Sequence, residues 1–484
     1  MGLSTSLANA LTGLTAASRR SEVVSSNVSN ALTPGYARRA VNLSAQSLGG
    51  NGAGVRIDGV TRSVNQFLLN DRRLADADAG NAALTSGFLS AVETAIGLPG
   101  AAGSLSDSFA KLDAALVQAA SRPDSQAQLQ AVLTSAANIA GKVKNLTSVL
   151  QQARMDADDS ISKQIAELNQ SLARIDALNA DILAQRSSGN DATALMDQRQ
   201  QLVDGIAKIV PIRETARDHD QIALYTSGGA VLLEGNPAFI GFRAAGVITA
   251  DMTLASGALS GLTLNGMPVA AGDSGVLGGG TLGAQFAVRD ELAPQIQAQI
   301  DALARDLTER FQDPAVDPSL GPGQPGIFTD AGSAFDPLTE VGLAGRLAIN
   351  ARIDPGQGGA LWRLRDGLGA MAPGNVGSAT LLNSLHDALS ANRVPASGAF
   401  NGAGRSGAGL AADVLSQVSG NRHSADARQS YTTARQQTLT ELHLQDGVDT
   451  DAELQTLLQV EHAFSANAKV VKMVDDLIQQ LIGL

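Results

Sequence analysis

Cysteine is absent from this 484-residue chain, so disulfide bonds, thiolate metal sites and thiol nucleophiles are all excluded. Aromatic residues are also scarce, at 3% with a single tryptophan. The cores must therefore be built from Ala, Leu, Val and Ile, side chains that suit slender helical bundles better than thick sandwiches. A chain of this length is expected to divide into several domains.

Long apolar runs and an excess of positive charge are missing as well. No segment reaches about 18 uninterrupted apolar residues, so membrane insertion is not expected. The first residues lack the basic and apolar regions of a cleaved signal peptide. The formal net charge of −12 argues against nucleic acid as a partner.

Few residues form a pattern typical of a catalytic site. The five histidines are scattered, and none has the spacing of a helical zinc site. Only residues 402–407 match a dinucleotide fingerprint, and the residues before them make a poor buried strand. We therefore expect no enzymatic activity, no metal and no cofactor. A nucleotide-binding enzyme that uses the 402–407 loop is the remote alternative.

Both ends of the chain carry apolar seams with heptad spacing. A 3-4 spacing keeps one narrow apolar stripe on a helix, which a partner helix covers. We therefore expect the terminal helices to pair as a coiled coil, or to be offered to neighbouring subunits. The N-terminal seam is Leu3, Leu7, Ala10, Leu14, Ala17, Ser21, Val24, Val28 and Ala31; the C-terminal seam is Leu457, Val460, Phe464, Asn467, Val471, Val474, Ile478 and Leu481.

The charges of the two ends are opposite, which favours pairing between them. Residues 1–73 hold eight arginines against three carboxylates, whereas residues 440–484 hold eight carboxylates against two lysines. Opposite signs on paired helices favour the mixed pair over either self-pair. The alternative is that each end is an ordinary amphipathic helix packed on a globular core.

The pattern along the chain predicts a mainly α, elongated, multi-domain molecule with an inserted small β domain. A first helix over 4–32 ends at the turn Thr33-Pro34-Gly35-Tyr36, because proline disfavours helix before it and glycine permits the turn. Strand-like residues follow over 37–64. Further helices are expected over 64–95, 104–210, 289–311, 359–370, 377–392 and 408–442.

These elements predict three structural parts. Residues 1–62 and 440–484 form the terminal coiled-coil assembly domain, and residues 63–211 and 288–439 form a bundle of long helices shaped like a rod. Residues 212–287, read as short strands with glycine turns, form a distal β domain that faces outward.

Several motifs resemble those of a known family. Residues 25–36, with Asn30 and the Thr33-Pro34-Gly35-Tyr36 turn, resemble the N-terminal signature of the axial proteins of the bacterial flagellum: rod, hook and hook-associated proteins. Residues 447–454 and 462–471 resemble the C-terminal helix of the flagellar hook-associated protein 1 family, and residues 195–203 and 347–355 agree with it. Leu32 and His462 depart from the family pattern.

This resemblance implies a structural adaptor at the hook–filament junction, exported from the cytoplasm by the flagellar type III channel to the extracellular flagellum. Its partners would be copies of itself in a ring, the hook protein, the second hook-associated protein, and an export chaperone on the C-terminal helix. The terminal helices would form an inner tube, with the helical domain around it. A hook or distal-rod protein is the alternative, which the long helices over 104–210 disfavour.

Overall fold

The computed structural model describes residues 2–48, 51–400 and 402–483, and these residues are mainly helical. The helices are α1 (Leu3–Ser29), α2 (Gln66–Ile96), α3 (Leu105–Ser121), α4 (Gln126–Ser187), α5 (Thr193–Ile209), α6 (Gly280–Ala287), α7 (Ala293–Phe311), α8 (Leu343–Arg346), α9 (Arg363–Asp366), α10 (Thr380–Ser390), α11 (Gly407–Gln445) and α12 (Thr450–Ile482). None of these described helices is long and apolar enough to cross a bilayer.

The strands form small antiparallel sheets. Strands β1 and β2 make a hairpin, β3 to β6 a four-stranded sheet in chain order, β7 to β9 a three-stranded sheet, and β10 and β11 a ribbon. The bounds are β1 (Arg39–Leu48), β2 (Asn51–Arg62), β3 (Ile212–Ala216), β4 (Ile222–Thr226), β5 (Val231–Glu234), β6 (Asn236–Pro237), β7 (Ile240–Gly241), β8 (Leu262–Leu264), β9 (Met267–Val269), β10 (Phe328–Asp330) and β11 (Leu347–Ile349).

The first and last helices pack along each other, as the two seams predict. Phe464 lies beside Leu14 and Ser18, and Asn467 lies against Gly13. Higher numbers on α12 therefore meet lower numbers on α1, and the pair is antiparallel. The hairpin of β1 and β2 covers another side of α1, where the Thr12 hydroxyl accepts a hydrogen bond from the Val55 backbone N–H at 3.2 Å.

Helix α4 is the long axis of the remaining structure. It has 62 residues, which corresponds to roughly 90 Å at about 1.5 Å per residue. Ser125 caps its first turn by accepting a hydrogen bond from the Gln128 N–H. Its first half shares a core with α2, α3, α7, α10 and α11, and its second half shares a core with α5 and the strands.

The β region lies along the second half of α4. Asn169 bonds to both backbone groups of Ile240, and Asn179 donates to the Ile222 carbonyl. That half of α4 leads to Asp191, which pairs with Arg19 of α1. The strands therefore lie along the half of α4 that leads to α1, and their apolar faces complete the core of α4 instead of forming a separate one.

Two buried arginines hold this region against α4. Arg154 donates to three backbone carbonyls, including those of Thr249 and Met252, and Arg289 pairs with Asp158 at 2.6 Å. Arg289 also lies over the ring of Phe286, at 4.9 Å from its centroid. Because both guanidinium groups are buried, their contacts define how the loops of the β region sit on the helix.

Some predicted boundaries differ from the structure. The last eight residues of the range 212–287 form α6, not a strand, and α11 continues through residues 440–445. The helix expected over 359–370 is reduced to α9. Gly358 and Gly367 adopt positive φ angles of 83° and 115° on either side of it, which ends helical geometry there.

Candidate assembly site and its junction with the rod

The N-terminal seam is covered in the α1–α12 pair. Ala10, Ala17 and Val24 are buried, and the remaining seam positions, Leu3, Leu7, Leu14, Ser21, Val28 and Ala31, are partly buried. None of the nine positions is exposed. The adjacent face, with Ala16 and Val23, is buried as well, which leaves α1 covered on two neighbouring sides.

The C-terminal seam is covered less completely. Val460 and Val474 are buried, and Leu457, Asn467, Val471 and Ile478 are partly buried. Phe464 is 46% exposed and Leu481 is 63% exposed. Leu481 is bare because the antiparallel pairing carries it past the start of α1 at Leu3.

The one polar residue of that seam, Asn467, does not bond across the pair. Its Nδ2 donates to the Ala463 carbonyl of its own helix at 2.9 Å. A Cβ atom at Gly13 would lie 2.8 Å from the Asn467 side chain. The Asn467 side chain therefore fits only because residue 13 is a glycine. Close packing, and not a hydrogen bond between the helices, sets the contact between α1 and α12 at this point.

Helix α12 carries a second apolar stripe, which lies beside the seam and shares only Leu481 with it. We define the α12 outer stripe as Val470, Met473, Leu477 and Leu481, which are between 41% and 63% exposed. Their 3-4-4 spacing places them on one side of the helix. No helix or strand of the described chain covers this stripe, so it is unfinished apolar surface.

The family turn joins the terminal pair to the rod. Thr33 accepts a hydrogen bond at its carbonyl from the Tyr36 N–H at 3.1 Å, with Pro34 and Gly35 between them. Gly35 has φ of 78°, so the turn is type II, which requires a positive φ at this position. Asn30 stabilises the approach by accepting a hydrogen bond from the Thr33 hydroxyl.

Tyr36 and Asn27 close this turn on the end of α1. The Tyr36 hydroxyl donates to Asn27 Oδ1 at 2.8 Å, and the fully buried Asn27 bonds to both backbone groups of Arg39. Burial raises the pKa of the Tyr36 phenol, which therefore stays a proton donor. The Arg39 guanidinium lies 4.8 Å from the centroid of the Tyr36 ring.

Asp197 of α5 is the common acceptor of this junction. Its Oδ2 accepts from Arg39 at 2.7 Å, and its Oδ1 accepts from Arg62 Nε at 2.8 Å. Gln200 accepts a second bond from Arg62 at 2.6 Å. Burial lowers the pKa of Arg62, and the nearby Asp197 charge opposes that shift. One carboxylate therefore binds the first and last residues of the hairpin to the rod.

Gln201 holds the turn itself. Its Nε2 donates to the Pro34 carbonyl at 2.6 Å. A Cβ atom on Gly35 would approach the Gln201 Cγ to 2.5 Å, so glycine is required by space as well as by φ. The motif over 195–203 thus binds the turn over 33–36, although some 160 residues separate them.

The start of α12 is tied to the same place. Glu453, which is only 1% exposed, accepts from Arg38 Nε at 2.7 Å. Asp449 caps α12 by accepting from the N–H groups of Asp451 and Ala452. Residues 33–39, α5 and the first turn of α12 therefore meet at one junction, and α2 joins it through Arg72 and Arg73, which share the Asp204 carboxylate at 2.6 Å each.

His443 lies in the last turn of α11, where the chain bends toward α12. It lines a groove of about 330 Å³ with Leu32, Arg72 and Asp204. Its Nδ1 is buried without a hydrogen-bond partner. Burial, followed by the nearby Arg72 charge, lowers the pKa of this imidazole; Arg73, Asp204 and Asp446 also face it.

The 402–407 loop serves as the cap of α11. Ser406 accepts from the Gly409 N–H, and Gly407 is packed so that an added Cβ would lie 3.0 Å from Phe109. The preceding chain forms only an isolated bridge between Arg393 and Arg405, not a parallel strand. The features that position a dinucleotide phosphate at a helix N-terminus are therefore missing from the described part of this loop. Among residues 2–48, 51–400 and 402–483, no group of three or more histidine and carboxylate side chains could hold a metal ion.

Sequence reasoning selected the seam and the turn, but it did not assign Asp197, Gln200, Gln201 or Glu453 a role. The available signals were the motifs over 195–203 and 447–454, which were identified only as a resemblance. A carboxylate on a helix gives no sign of its partners when these are more than 130 residues away in the chain. The α12 outer stripe was missed because its spacing is less regular than the seam beside it.

Comparisons with known families agree with this arrangement. The flagellar hook-associated protein FlgK helical domain family matches residues 89–314. The flagellar basal body rod FlgEFG protein C-terminal family matches residues 445–484, and the flagella basal body rod protein family matches residues 7–36.

Individual relatives are distant in sequence. Flagellar hook-associated protein 1 of Salmonella typhimurium is 25% identical over 243 residues, 49% of this chain and 44% of that protein. The chain thus spans less than half the length of this relative. The protein of the same name from Bacillus subtilis is 23% identical over 524 residues, 100% of this chain and 98% of that protein. The flagellar hook junction protein FlgK of Burkholderia pseudomallei aligns with a TM-score of 0.44 at 20% identity, over 54% of this chain and 46% of that one.

The first prediction concerns the shared carboxylate. Asp197→Asn leaves Arg39 and Arg62 without their anion, and we expect a loss of roughly 2–4 kcal/mol in the free energy of unfolding. Asp191→Asn is the control, because its pair with Arg19 is exposed at 3.4 Å and its change should stay within about 0.5 kcal/mol. Denaturant unfolding followed by circular dichroism measures both. Equal effects of the two substitutions would show that Asp197 is not the anchor.

The second prediction concerns the turn. Gly35→Ala should destabilise the protein by about 1–2 kcal/mol from the left-handed φ, and further through contact with Gln201. The double variant Gly35→Ala/Gln201→Ala should lose less than the sum of the two single variants, because the contact is then removed. Gly420→Ala, on the exposed face of α11 with open space around it, should instead gain about 0.5–1 kcal/mol. Additive effects at residues 35 and 201 would contradict the packing described.

The third prediction concerns pH. Because folding lowers the pKa of His443 below its ordinary 6.5, the unfolded chain binds this proton more readily. The stability that depends on neutral His443 is complete above pH 6.5 and is lost as pH falls through that value and the lower folded pKa. Unfolding measured at about pH 7.5 and about pH 5.5 should therefore change less in His443→Gln than in the unsubstituted chain. An identical pH dependence in both would remove His443 from this role.

Proposed function

We propose that this chain, which matches the helical domain family of the flagellar hook-associated protein FlgK over residues 89–314, is a structural adaptor subunit at the hook–filament junction of the bacterial flagellum. It assembles with other axial subunits through its terminal helices. The catalytic machinery of an enzyme plays no part in this proposal.

The α12 outer stripe is the observation that carries the proposal. The seam of α12 is already used within the chain against α1, so the pair forms without a neighbour. The stripe beside it still exposes four large apolar side chains on a helix that has few buried residues of its own. Covering such a stripe with another subunit removes apolar area from water, and this gain favours assembly.

The charges along α12 favour a different subunit surface over a second α12. Residues 450–482 hold five carboxylates, Asp451, Glu453, Glu461, Asp475 and Asp476, against Lys469 and Lys472. Two copies of this helix would repel each other, whereas a surface rich in arginine would attract it. This supports a heterologous contact between copies, which is the geometry that generates a ring when the rotation closes.

The junction at Asp197 gives the terminal pair a defined direction. Arg39 and Arg62 bind Asp197 of α5, and Arg38 binds Glu453 of α12. These ion pairs anchor the α1–α12 pair to the rod at the end where α1 finishes and α12 begins. An adaptor that connects two different structures needs such an anchor, since its assembly surface must face the same way in every copy.

The proposed partners follow from the family. They are copies of this chain in a ring, the hook protein on one side, the second hook-associated protein on the other, and an export chaperone that binds the exposed face of α12 before assembly. The exposed stripe supports a chaperone contact, because unassembled apolar surface promotes aggregation. The proposed location is the extracellular flagellum, reached by export.

A hook or distal-rod protein is a weaker candidate. The family matches at residues 7–36 and 445–484 bear rod-protein names and do not separate the two functions. The match over residues 89–314 does, because it is specific to the helical domain of hook-associated proteins. That range contains α3 and α4, the long helices that the rod-protein matches lack.

The fourth prediction tests the α12 outer stripe. The triple variant Val470→Glu/Met473→Glu/Leu477→Glu should keep its helix content and unfolding midpoint, because these side chains are already exposed. It should be recovered in the culture medium but should not be incorporated at hook tips, and motility should be lost. Charge on a surface that is buried on assembly has no partner there.

The matched control places the same three charges elsewhere on α12. Gln455→Glu/Ser465→Glu/Gln479→Glu changes exposed positions outside the stripe and should assemble normally. Electron microscopy of hooks and immunodetection in the medium separate failed assembly from failed export. Normal incorporation of the stripe variant, with filaments attached, would disprove the proposed use of this surface.

A further inference from the structure

A groove of about 820 Å³ lies between α4 and the ribbon formed by β10 and β11, away from the terminal helices and the junction. One wall is α4, where Ala137, Ala140 and Gly141 present small side chains. The other wall is residues 347–352, which belong to the motif over 347–355. The assembly of the terminal helices does not use this motif.

The hydrogen bonds at the two ends of the ribbon define its register. The Asn350 N–H donates to the Ile327 carbonyl at 2.9 Å, and the Ala331 N–H donates to the Arg346 carbonyl at 3.0 Å. In an antiparallel pair, residues that exchange hydrogen bonds alternate with residues that do not. The residues halfway between these two bonds must therefore be a hydrogen-bonded pair as well.

That halfway pair is Thr329 and Ala348, which are opposite each other in the ribbon. Ile349 faces Phe328 in the next register position, a non-hydrogen-bonded pair. The N–H and C=O of Ile349 consequently point away from β10. No described strand pairs with β11 on that side, so β11 has a free edge.

The ribbon is held in place and the groove is preformed. The Asn350 side chain donates to the carbonyls of Pro325 and Gly326 at 3.1 and 2.9 Å, which fixes the chain at the end of β11. Leu347 is buried in the main core. A Cβ atom at Gly141 or Gly332 would meet nothing within 4 Å, so the space along both walls is open.

The charge of the groove has one sign. Its lining contains Lys144 and Arg352 and no carboxylate. Both cations are exposed, and neither forms an ion pair within the described chain, although Arg352 also donates weakly to the Leu368 carbonyl at 3.3 Å. Other arginines near the ribbon are paired, as Arg346 is with Asp330 at 2.7 Å. The two free cations therefore favour an acidic occupant.

We propose that this groove binds an extended acidic peptide segment of a partner protein, which adds as a third strand at the free edge of β11. Backbone hydrogen bonds to Ile349 supply the pairing, the small residues of α4 make room for alternate side chains, and carboxylates of the segment lie beside Lys144 and Arg352. The proposal is independent of the terminal helices and of their assembly.

The fifth prediction tests binding with defined peptides. The peptide (Glu-Val)₄-amide, labelled with fluorescein at its N-terminal amine, should bind the full chain saturably in an anisotropy titration, and (Lys-Val)₄-amide labelled at the same place should bind at least about tenfold more weakly. Ile349→Pro should weaken the acidic peptide about tenfold, because it removes the outward N–H while the hydrogen bonds of β11 to β10 come from other residues. Ile349→Val, which keeps that N–H, is its matched control and should bind as the unsubstituted chain does.

A second variant keeps the test decisive if proline disturbs the ribbon. Lys144→Glu is an exposed substitution on α4 that should leave circular dichroism and unfolding unchanged while it weakens the acidic peptide and strengthens the basic one. Absence of saturable binding, equal binding of both peptides, or binding unaffected by Ile349→Pro and Lys144→Glu would overturn the proposal. Self-association that Lys144→Glu abolishes would assign the groove to a second copy and overturn its assignment to another protein.

Discussion

The arrangement of the terminal helices depends on one carboxylate, Asp197. The hairpin that follows α1 begins and ends in arginine, and both arginines bind the same side chain of α5. A largely buried carboxylate with two cationic partners is far better compensated than one with a single partner, because each of its two oxygens accepts from an arginine. The backbone N–H and C=O of Arg39 also bond to the side chain of Asn27 on α1. The position of α1 therefore follows from that of α5. The turn over 33–36 adds shape: Gly35 lies where no other residue would fit against Gln201.

Pairing with α1 covers only part of the apolar surface of α12. A helix as exposed as α12 gains little from propensity alone, so it depends on what covers it. Helix α1 covers one side, with small residues such as Gly13 that allow close approach. The C-terminal half still shows a row of large apolar side chains to water. The α1–α12 pair therefore forms within one chain and still leaves apolar surface of α12 that a further helix or strand could cover.

Much of this could be predicted from residues alone, and the exceptions share a cause. The seams, the turn and the long helices are local patterns, with periods of three to seven residues, and the structure confirms them as elements. Asp197, Glu453 and Arg289 act through partners more than 100 residues away, and nothing local distinguishes them from surface charges. The packing of the β region also depends on residues that are distant in the chain. Chain order indicates where a segment leaves and returns, but the apolar side chains of α4 between Ile161 and Ile175 determine where it packs.

Helices α2 and α11 connect the junction to the far part of the rod, and polar contacts determine how they are aligned. Asp76 bonds to Gln436, Ser86 to Asp426, and Glu93 to Ser419, so the two helices run antiparallel in one register. The buried residues of α11 are concentrated between Gly407 and Ala425, and beyond them only Thr432 is buried. The apolar core therefore holds the far half of α11, whereas hydrogen bonds and ion pairs hold the half that leads to His443 and α12. Polar contacts are directional and break at small displacements. The half of α11 nearest the terminal helices is thus aligned by directional contacts and buries little apolar area, so the direction of the α1–α12 pair depends more on hydrogen-bond geometry than on buried area.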